Sequence, residues 1–227
     1  MPPRGGRLRV ALVVIAVAAA AAALPASARP PASSFSAHVD NPWFPLLHGM
    51  HWTYVGVKDG KQSRDVVAVA KTDAVIDGIP CVSVSDRLYE NGRLEERTTD
   101  WYSQDRAGNV WYLGENTAEL DRSGRVTSTE GTWRAGENGA VAGIYIPAAP
   151  SSGVAGRQEY YKGHAEDHFK VVGRLGANAV LTAEWTPLEP GTLDHKLYVR
   201  GVGIVLEQTE RGPNERNELV AFTRSPR

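Results

Sequence analysis

Glu90-Asn91-Gly92-Arg93, Asp105-Arg106-Ala107-Gly108-Asn109 and Asp121-Arg122-Ser123-Gly124-Arg125 are the three turn sequences that decide the fold of this chain. Asn-Gly is the preferred centre of a tight β-hairpin, and each Asp-Arg-x-Gly loop supplies a glycine where a left-handed residue is needed. The stretches between these turns are rich in Thr, Val, Trp and Tyr, which favour strands. The three turns therefore predict an antiparallel meander in the middle of the chain.

The spacing of the turns also predicts the shape of the sheet. Their centres lie about 15 residues apart, so the strands can reach roughly 35–40 Å at about 3.3 Å per residue. Strands of that length in one sheet coil strongly. We therefore predict an all-β domain whose long-stranded antiparallel meander curls into a barrel or half-barrel, with at most one or two short helices. A β-sandwich is the competing architecture, although its strands are usually shorter.

Charge and loop length predict the strand registers. Pairing across Asn91-Gly92 sets three pairs of opposite charge side by side, namely Glu90 with Arg93, Arg87 with Glu96, and Asp86 with Arg97. The third turn, taken as a three-residue loop, predicts Leu120 opposite Val126 and Leu113 opposite Trp133. The middle hairpin brings Trp101-Tyr102 beside Trp111-Tyr112.

Residues 1–28 are typical of a secretory signal peptide. Arg4, Arg7 and Arg9 precede an apolar run over residues 10–24, and Ala26-Ser27-Ala28 is an Ala-x-Ala cleavage site. This pattern predicts the general secretion route and a secreted, periplasmic or cell-envelope location, with no transmembrane segment after cleavage. An uncleaved N-terminal anchor is the alternative. Residues 29–37 are predicted to be a flexible leader and residues 38–227 a single β domain.

The net charge argues against nucleic acid as a partner, and the cysteine content excludes an internal disulfide. The whole chain has 25 Lys and Arg against 26 Asp and Glu, and cleavage at residue 28 removes three arginines. The acidic balance that results argues against nucleic acid, whose phosphates need a basic surface. Cys81 is the single cysteine, so the fold has no internal disulfide, and a buried inert thiol is predicted.

Several segments resemble a group of exported bacterial proteins that are largely without assigned function. The shared segments are Asn41-Pro42-Trp43-Phe44-Pro45-Leu46, Asp100-Trp101-Tyr102, Gly108-Asn109-Val110-Trp111-Tyr112 and Gly201-Val202-Gly203-Ile204-Val205. The resemblance covers nearly all of residues 29–227. It implies an all-β exported domain and carries no catalytic residues that could be transferred.

Aromatic side chains form the first candidate site. The hairpins gather Trp101, Trp111, Tyr112 and Trp133 on a curved sheet, and sheets of this shape commonly hold an apolar ligand. The sequence leaves open whether these rings face a ligand or fill the core.

A metal site is the second candidate. In Gly163-His164-Ala165-Glu166-Asp167-His168, the side chains of His164, Glu166 and His168 share one face of a strand. Two imidazoles with one carboxylate suit Zn²⁺. A solvent-exposed polar loop with two incidental histidines is the alternative, and no cofactor is otherwise expected.

Paired carboxylates are the third candidate. Glu159 and Asp167 lie beside aromatic residues, as in glycosidases and carbohydrate binders. The sequence lacks the Gly-x-Ser-x-Gly elbow of esterases and the phosphate-binding glycine loops.

The leading hypothesis is an extracytoplasmic binding protein for a small apolar or amphipathic ligand, or for a partner surface such as an envelope protein, with no assigned reaction. A metal-assisted or carboxylate-based hydrolase and a structural envelope protein are the alternatives. A binding role is favoured over an enzymatic one, and the oligomeric state is left open.

Overall fold

The computed structural model describes residues 29–224, so the predicted signal peptide at residues 1–28 lies outside the described residues. Apart from one 3-10 turn at Ala32–Ser34, the regular structure of this range is all strand. The strands in chain order are β1 (Phe35–Ser36), β2 (His51–Lys58), β3 (Lys61–Ile76), β4 (Ile79–Glu90), β5 (Arg93–Asp105), β6 (Val110–Leu120), β7 (Val126–Ser128), β8 (Trp133–Arg134), β9 (Val141–Ile146), β10 (Ala155–Arg157), β11 (Glu159–Tyr160), β12 (His168–Leu175), β13 (Ala179–Trp185), β14 (Leu193–Val199), β15 (Gly203–Arg211) and β16 (Glu215–Thr223).

These strands form one antiparallel sheet that nearly closes into a barrel. Neighbouring strands follow the order β10-β12-β13-β14-β15-β16-β2-β3-β4-β5-β6-β9-β11, with β1 added to β5 and with β7 and β8 added to β6. The last strand, β16, pairs with β2, so a late strand and an early strand of the chain are neighbours in the sheet. The predicted all-β meander curled towards a barrel is confirmed.

Residues 155–160 span the gap between the two ends of the sheet. β10 pairs with β12, β11 pairs with β9, and Gln158 alone separates β10 from β11. The backbone N–H of Gln158 donates to the carbonyl of Asp167 at 2.7 Å, and its side-chain amide donates to the carbonyl of Tyr145 at 3.2 Å. One short segment therefore connects both edges.

Gly143 in β9 makes this closure sterically demanding. A Cβ at this position would lie 2.2 Å from the carbonyl oxygen of Arg157 and 2.6 Å from the carbonyl carbon of Gln158. Because both neighbours are backbone atoms, Gly143→Ala is expected to lower the free energy of unfolding by about 3 kcal/mol. Gly173→Ala is the matched control, since no atom lies within 4 Å of its added Cβ. Urea denaturation giving the two variants equal stability would contradict the prediction.

The register predicted across Asn91-Gly92 holds only next to the turn. Glu90 pairs with Arg93 as predicted, but a β-bulge follows between Leu88 and Tyr89. The predicted Arg87–Glu96 and Asp86–Arg97 pairs are wrong, because Leu88 pairs with Glu96 and Arg87 with Arg97. Glu95 is the extra residue in β5, and its carboxylate binds Arg93.

This bulge changes which side chains of β5 enter the barrel. Val84 in β4 pairs with Asp100 and Val82 pairs with Tyr102. A shift of one residue moves every following side chain to the other face of a strand. The side chains of Asp100 and Tyr102 in β5 therefore point to the same side of the sheet as Val84 and Val82, which is the inside of the barrel. The side chain of Trp101 points to the outside.

The other two hairpins agree with the sequence near their turns. Tyr102 pairs with Tyr112 in the middle hairpin, and Leu120 pairs with Val126 across the third turn, both as predicted. The predicted pairing of Leu113 with Trp133 is wrong, because Trp133 pairs with Glu115. A separate turn between β7 and β8 interrupts the hairpin, so the register of β7 does not continue into β8.

The N-terminal segment packs onto the barrel. Residues 29–37, predicted as a flexible leader, contribute β1, which pairs with β5 through Phe35 opposite Asp105. Further along, the Asn41 carboxamide accepts a hydrogen bond from the Trp43 N–H at 2.8 Å and donates one to the Gly108 carbonyl at 2.8 Å. Trp43 is buried, and Phe44 reaches the barrel interior.

Candidate functional site

Two adjoining cavities occupy the inside of the barrel. The first, called the aromatic cavity, has a volume of ≈ 180 Å³, and its apolar walls include Phe44, Trp52, Tyr54, Tyr145 and Ile204. The second, called the acidic cavity, has a volume of ≈ 330 Å³, and its walls include Glu159, Asp167, Glu184, Asp194, Lys196 and Glu207. Lys196 and Glu207 line both cavities, so an apolar space and a charged space meet at one ion pair.

Lys196 is the ammonium at this junction. Its Nζ lies 3.0 Å from a carboxylate oxygen of Glu184 and 3.4 Å from one of Glu207. Burial opposes the charge of Lys196, but the carboxylates of Glu184 and Glu207 raise its pKa well above the ordinary value. The side chain is therefore a permanent cation and is not available as a base or nucleophile.

Two hydroxyl groups hold Glu184, the partner of Lys196, in place. The Thr182 hydroxyl donates to Glu184 Oε1 at 2.8 Å, and the Tyr198 hydroxyl donates to the same oxygen at 3.3 Å. Thr182, Glu184 and Tyr198 are all buried. Because β13 and β14 alternate their side chains, these groups project from adjacent strands onto one inner face.

Asp100 and Glu115 form a second group of interior carboxyl groups, and neither makes an ion pair with a basic side chain of residues 29–224. Burial and then the charge of Asp86 raise the pKa of Asp100 to about 7. Burial and then the charge of Asp100 raise the pKa of Glu115 to about 9. The Tyr112 hydroxyl donates to Asp100 at 2.7 Å, which partly offsets this rise. The two carboxyl groups face each other across the pairing of β5 with β6. At pH 7 Glu115 is therefore held largely in the protonated form, and Asp100 is protonated in about half of the molecules.

Asp65 and Asp86 form a comparable pair in the wall of the aromatic cavity. Burial raises the pKa of each, and the two carboxyl groups are joined by a hydrogen bond. Asp65 Oδ1 is buried and has no hydrogen-bond partner. A shared proton between two buried carboxyl groups explains how they are tolerated so close together.

The structure brings the two predicted catalytic carboxylates together. Glu159 in β11 and Asp167, just before β12, both line the acidic cavity. Burial and then the charge of Asp167 raise the pKa of Glu159 to about 8, and burial raises the pKa of Asp167 as well. Their approach follows from the closure of the barrel, because Gln158 bonds the backbone of Asp167.

The predicted ligand-binding aromatics are all buried and line neither cavity. Tyr112 stacks on Tyr102 at 4.8 Å between ring centroids, and Trp133 meets Tyr112 edge-on at 5.4 Å. Trp111 packs on Phe35, and the Trp111 indole N–H donates to Asp105 at 2.9 Å. The guanidinium of Arg134 lies over Trp101. These four rings therefore fill the core around the barrel.

The predicted metal ligands point to separate partners. His164 Nδ1 lies 3.2 Å from a carboxylate oxygen of Glu130, and the Glu166 carboxylate accepts from the Gly163 N–H. His168 bonds a backbone carbonyl and stacks on Trp185. Within residues 29–224, no three His, Cys, Asp or Glu side chains form a group that could hold a metal ion. Zinc binding by His164, Glu166 and His168 stays a prediction.

Sequence reasoning missed Lys196, Glu184 and Glu207 as interior residues. Val180, Thr182 and Glu184 alternate along β13, and this period places Glu184 on the face of the buried Val180. In β14 the apolar side chains of Leu193, Leu197 and Val199 alternate with Asp194 and Lys196, so alternation points the wrong face inward. In β15 charged residues stand on both faces, so alternation does not mark Glu207 as interior. Cys81 is fully buried, and burial raises the pKa of its thiol to about 12.

Comparisons with known proteins give one distant likeness. No family model and no curated protein matches the chain. A crystal structure from Parabacteroides distasonis, described as a "putative lipoprotein", is similar to this chain with a TM-score of 0.41 and 10% sequence identity. The similarity covers 81% of this chain and 99% of that one. Among the described residues, no helix is long and apolar enough to span a membrane.

Proposed function

We propose that this protein binds a small amphipathic molecule inside its barrel and acts as an exported binding protein of the cell envelope. The observation that carries the proposal is the meeting of the aromatic and acidic cavities at Lys196 and Glu207. Binding sites for small molecules combine apolar walls with a few polar groups that orient the ligand. Here a cavity with most of the aromatic side chains and a cavity rich in carboxyl groups share Lys196 and Glu207, which suits a molecule with an apolar part and a polar part.

Binding is favoured over carboxylate-based hydrolysis by the electrostatics of Glu159 and Asp167. Acid–base hydrolysis needs one protonated and one ionised carboxyl group, with pKa values moved apart by their surroundings. The pKa values of Glu159 and Asp167 are both raised. The surroundings therefore shift both groups in the same direction, and they do not favour the ionised form of one over the other.

Native mass spectrometry of protein purified from its own envelope tests the proposal. The parent protein is expected to carry a bound small molecule. Val67→Phe, which fills the aromatic cavity, is expected to reduce the bound fraction about tenfold, the equivalent of about 1.4 kcal/mol. Val75→Phe makes the same change on the same strand at a side chain that is 69% exposed, and it should retain the ligand.

Parent protein that carries no bound small molecule would contradict the proposed function. Equal occupancy in Val67→Phe and Val75→Phe would also contradict it, because the ligand would then lie outside the aromatic cavity.

A further inference from the structure

The acidic cavity contains more carboxylates than its basic side chains can neutralise. Lys196 is engaged by Glu184 and Glu207, and His164 faces Glu130. Among the described residues, neither Glu159 nor Asp167 has a basic side chain within ion-pair distance. The wall around Glu159 and Asp167 therefore has acceptors for a cation that the chain itself does not supply.

Glu159 is the deepest of these acceptors. The residue is 6% exposed, and its Oε2 atom is buried without a hydrogen-bond partner. The indole N–H of Trp133 lies near enough to lower the pKa of Glu159, but Trp133 Nε1 and Glu159 Oε2 both lack a partner in hydrogen-bonding geometry. A buried carboxyl oxygen without a donor is an unusual feature of a native interior.

We infer that the ligand of the barrel carries a protonated amine, which donates to Glu159 in the acidic cavity while its apolar part lies in the aromatic cavity. This inference rests on the proposed function and names its ligand class. An ammonium group has three donors and suits a wall of separate carboxylates.

Lys196 shows how this interior holds an ammonium group. Its Nζ binds two carboxylates and lies 5.9 Å from the centroid of the Tyr145 ring. A ligand amine beside Glu159 and Asp167 would find acceptors of the same kind in the same cavity. An anionic ligand would instead meet carboxyl groups, and the ammonium of Lys196 is already engaged by Glu184 and Glu207.

The charge selectivity of the barrel can be measured with three probes of equal chain length. Isothermal titration calorimetry at pH 7 is expected to show that n-octylamine binds at least about tenfold more tightly than n-octanol, with n-octanoate the weakest, since charge-assisted hydrogen bonds exceed neutral ones by about that factor. Glu159→Gln should remove the preference for octylamine and leave octanol binding unchanged. Glu119→Gln, the same substitution at an exposed residue of β6, should keep the preference.

Proton release gives an independent measurement. Glu159 faces Asp167, Asp100 and Lys196, and its raised pKa of about 8 keeps it largely protonated at pH 7. Octylamine should therefore displace a proton, so that its binding enthalpy changes with the ionisation enthalpy of the buffer, whereas the enthalpy for octanol should not. Glu159→Gln should abolish this buffer dependence.

Two results would overturn the amine assignment. Octanol that binds as tightly as octylamine would remove the charge preference while leaving the proposed binding function intact. Octylamine affinity that is unchanged in Glu159→Gln would place the amine elsewhere. Failure of the proposed function itself is read separately, from the bound mass in the parent protein and in Val67→Phe.

Discussion

The protein is expected to unfold at a higher temperature at pH 5 than at pH 9, with a difference of about 10 °C or more. Burial raises the pKa values of Asp100 to about 7, of Glu159 to about 8 and of Glu115 to about 9. In the unfolded chain these carboxyl groups titrate near about pH 4. The folded state therefore binds more protons than the unfolded state between about pH 4 and these raised values.

The difference in bound protons determines whether the free energy of unfolding rises or falls with pH. Where the folded state holds the extra proton, the free energy of unfolding falls as pH rises, by up to about 1.4 kcal/mol per pH unit for each group. The stability from these groups therefore declines from about pH 4 upward, so that within the tested range it is highest at pH 5, and it levels off above the folded pKa of Glu115. Differential scanning calorimetry across this range measures the decline.

Matched variants identify the groups responsible. Glu115→Gln and Glu159→Gln should each flatten the dependence of the unfolding temperature on pH. Asp121→Asn is the control, because hydrogen bonds from Ser123 and Arg125 lower the pKa of Asp121 to about 2. Its titration lies below the tested range, so the slope should be that of the parent protein. An unfolding temperature that rises steadily from pH 5 to pH 9 would contradict the assignment.

Lys196→Met is expected to lower the free energy of unfolding by about 3–5 kcal/mol, because it leaves buried carboxylates without their cation. The side chain of Lys196 is 17% exposed and that of Glu184 is 8% exposed. Methionine matches the length of the aliphatic part of lysine but carries no charge. Urea denaturation of the variant and the parent protein at the same pH measures the loss.

Lys61→Met is the matched control for this variant. Lys61 also pairs with a carboxylate, that of Glu90 at 2.6 Å, but the lysine side chain is 54% exposed. An exposed pair of this kind contributes little to stability, because water screens its charges. The double variant Lys196→Met with Glu184→Gln should recover part of the lost stability. A Lys196→Met variant as stable as Lys61→Met would show that the interior pair is solvated.

The two outcomes together would show why the interior tolerates so many charged side chains. Lys196 neutralises part of the acidic wall directly, and Glu159 stays largely protonated at pH 7. A bound cation would neutralise more of the acidic wall, and the carboxyl groups beside it would then no longer need to be protonated. The ligand class, the pH dependence and the ion pair at Lys196 are thus three consequences of one excess of interior carboxylates.

The sequence by itself determined the all-β class, the three hairpins and the pairings next to each turn. Turn chemistry is local, so Asn91-Gly92 specifies its hairpin whatever lies further along the strands. The sequence also predicted that Tyr102 lies beside Tyr112, because the loop of the middle hairpin is short. Alternation along the strands could not say which face is inside, because charged residues occupy both faces of this barrel.

Only the tertiary structure decided the contents of the cavity. The bulge at Glu95 turns Asp100 and Tyr102 inward and Trp101 outward, and a single extra residue is not visible in a pattern of period two. Closure of the sheet at residues 155–160 brings Glu159 beside Asp167. Curvature and closure depend on contacts between strands distant in sequence, which is why local chemistry predicted the barrel but not its acidic interior.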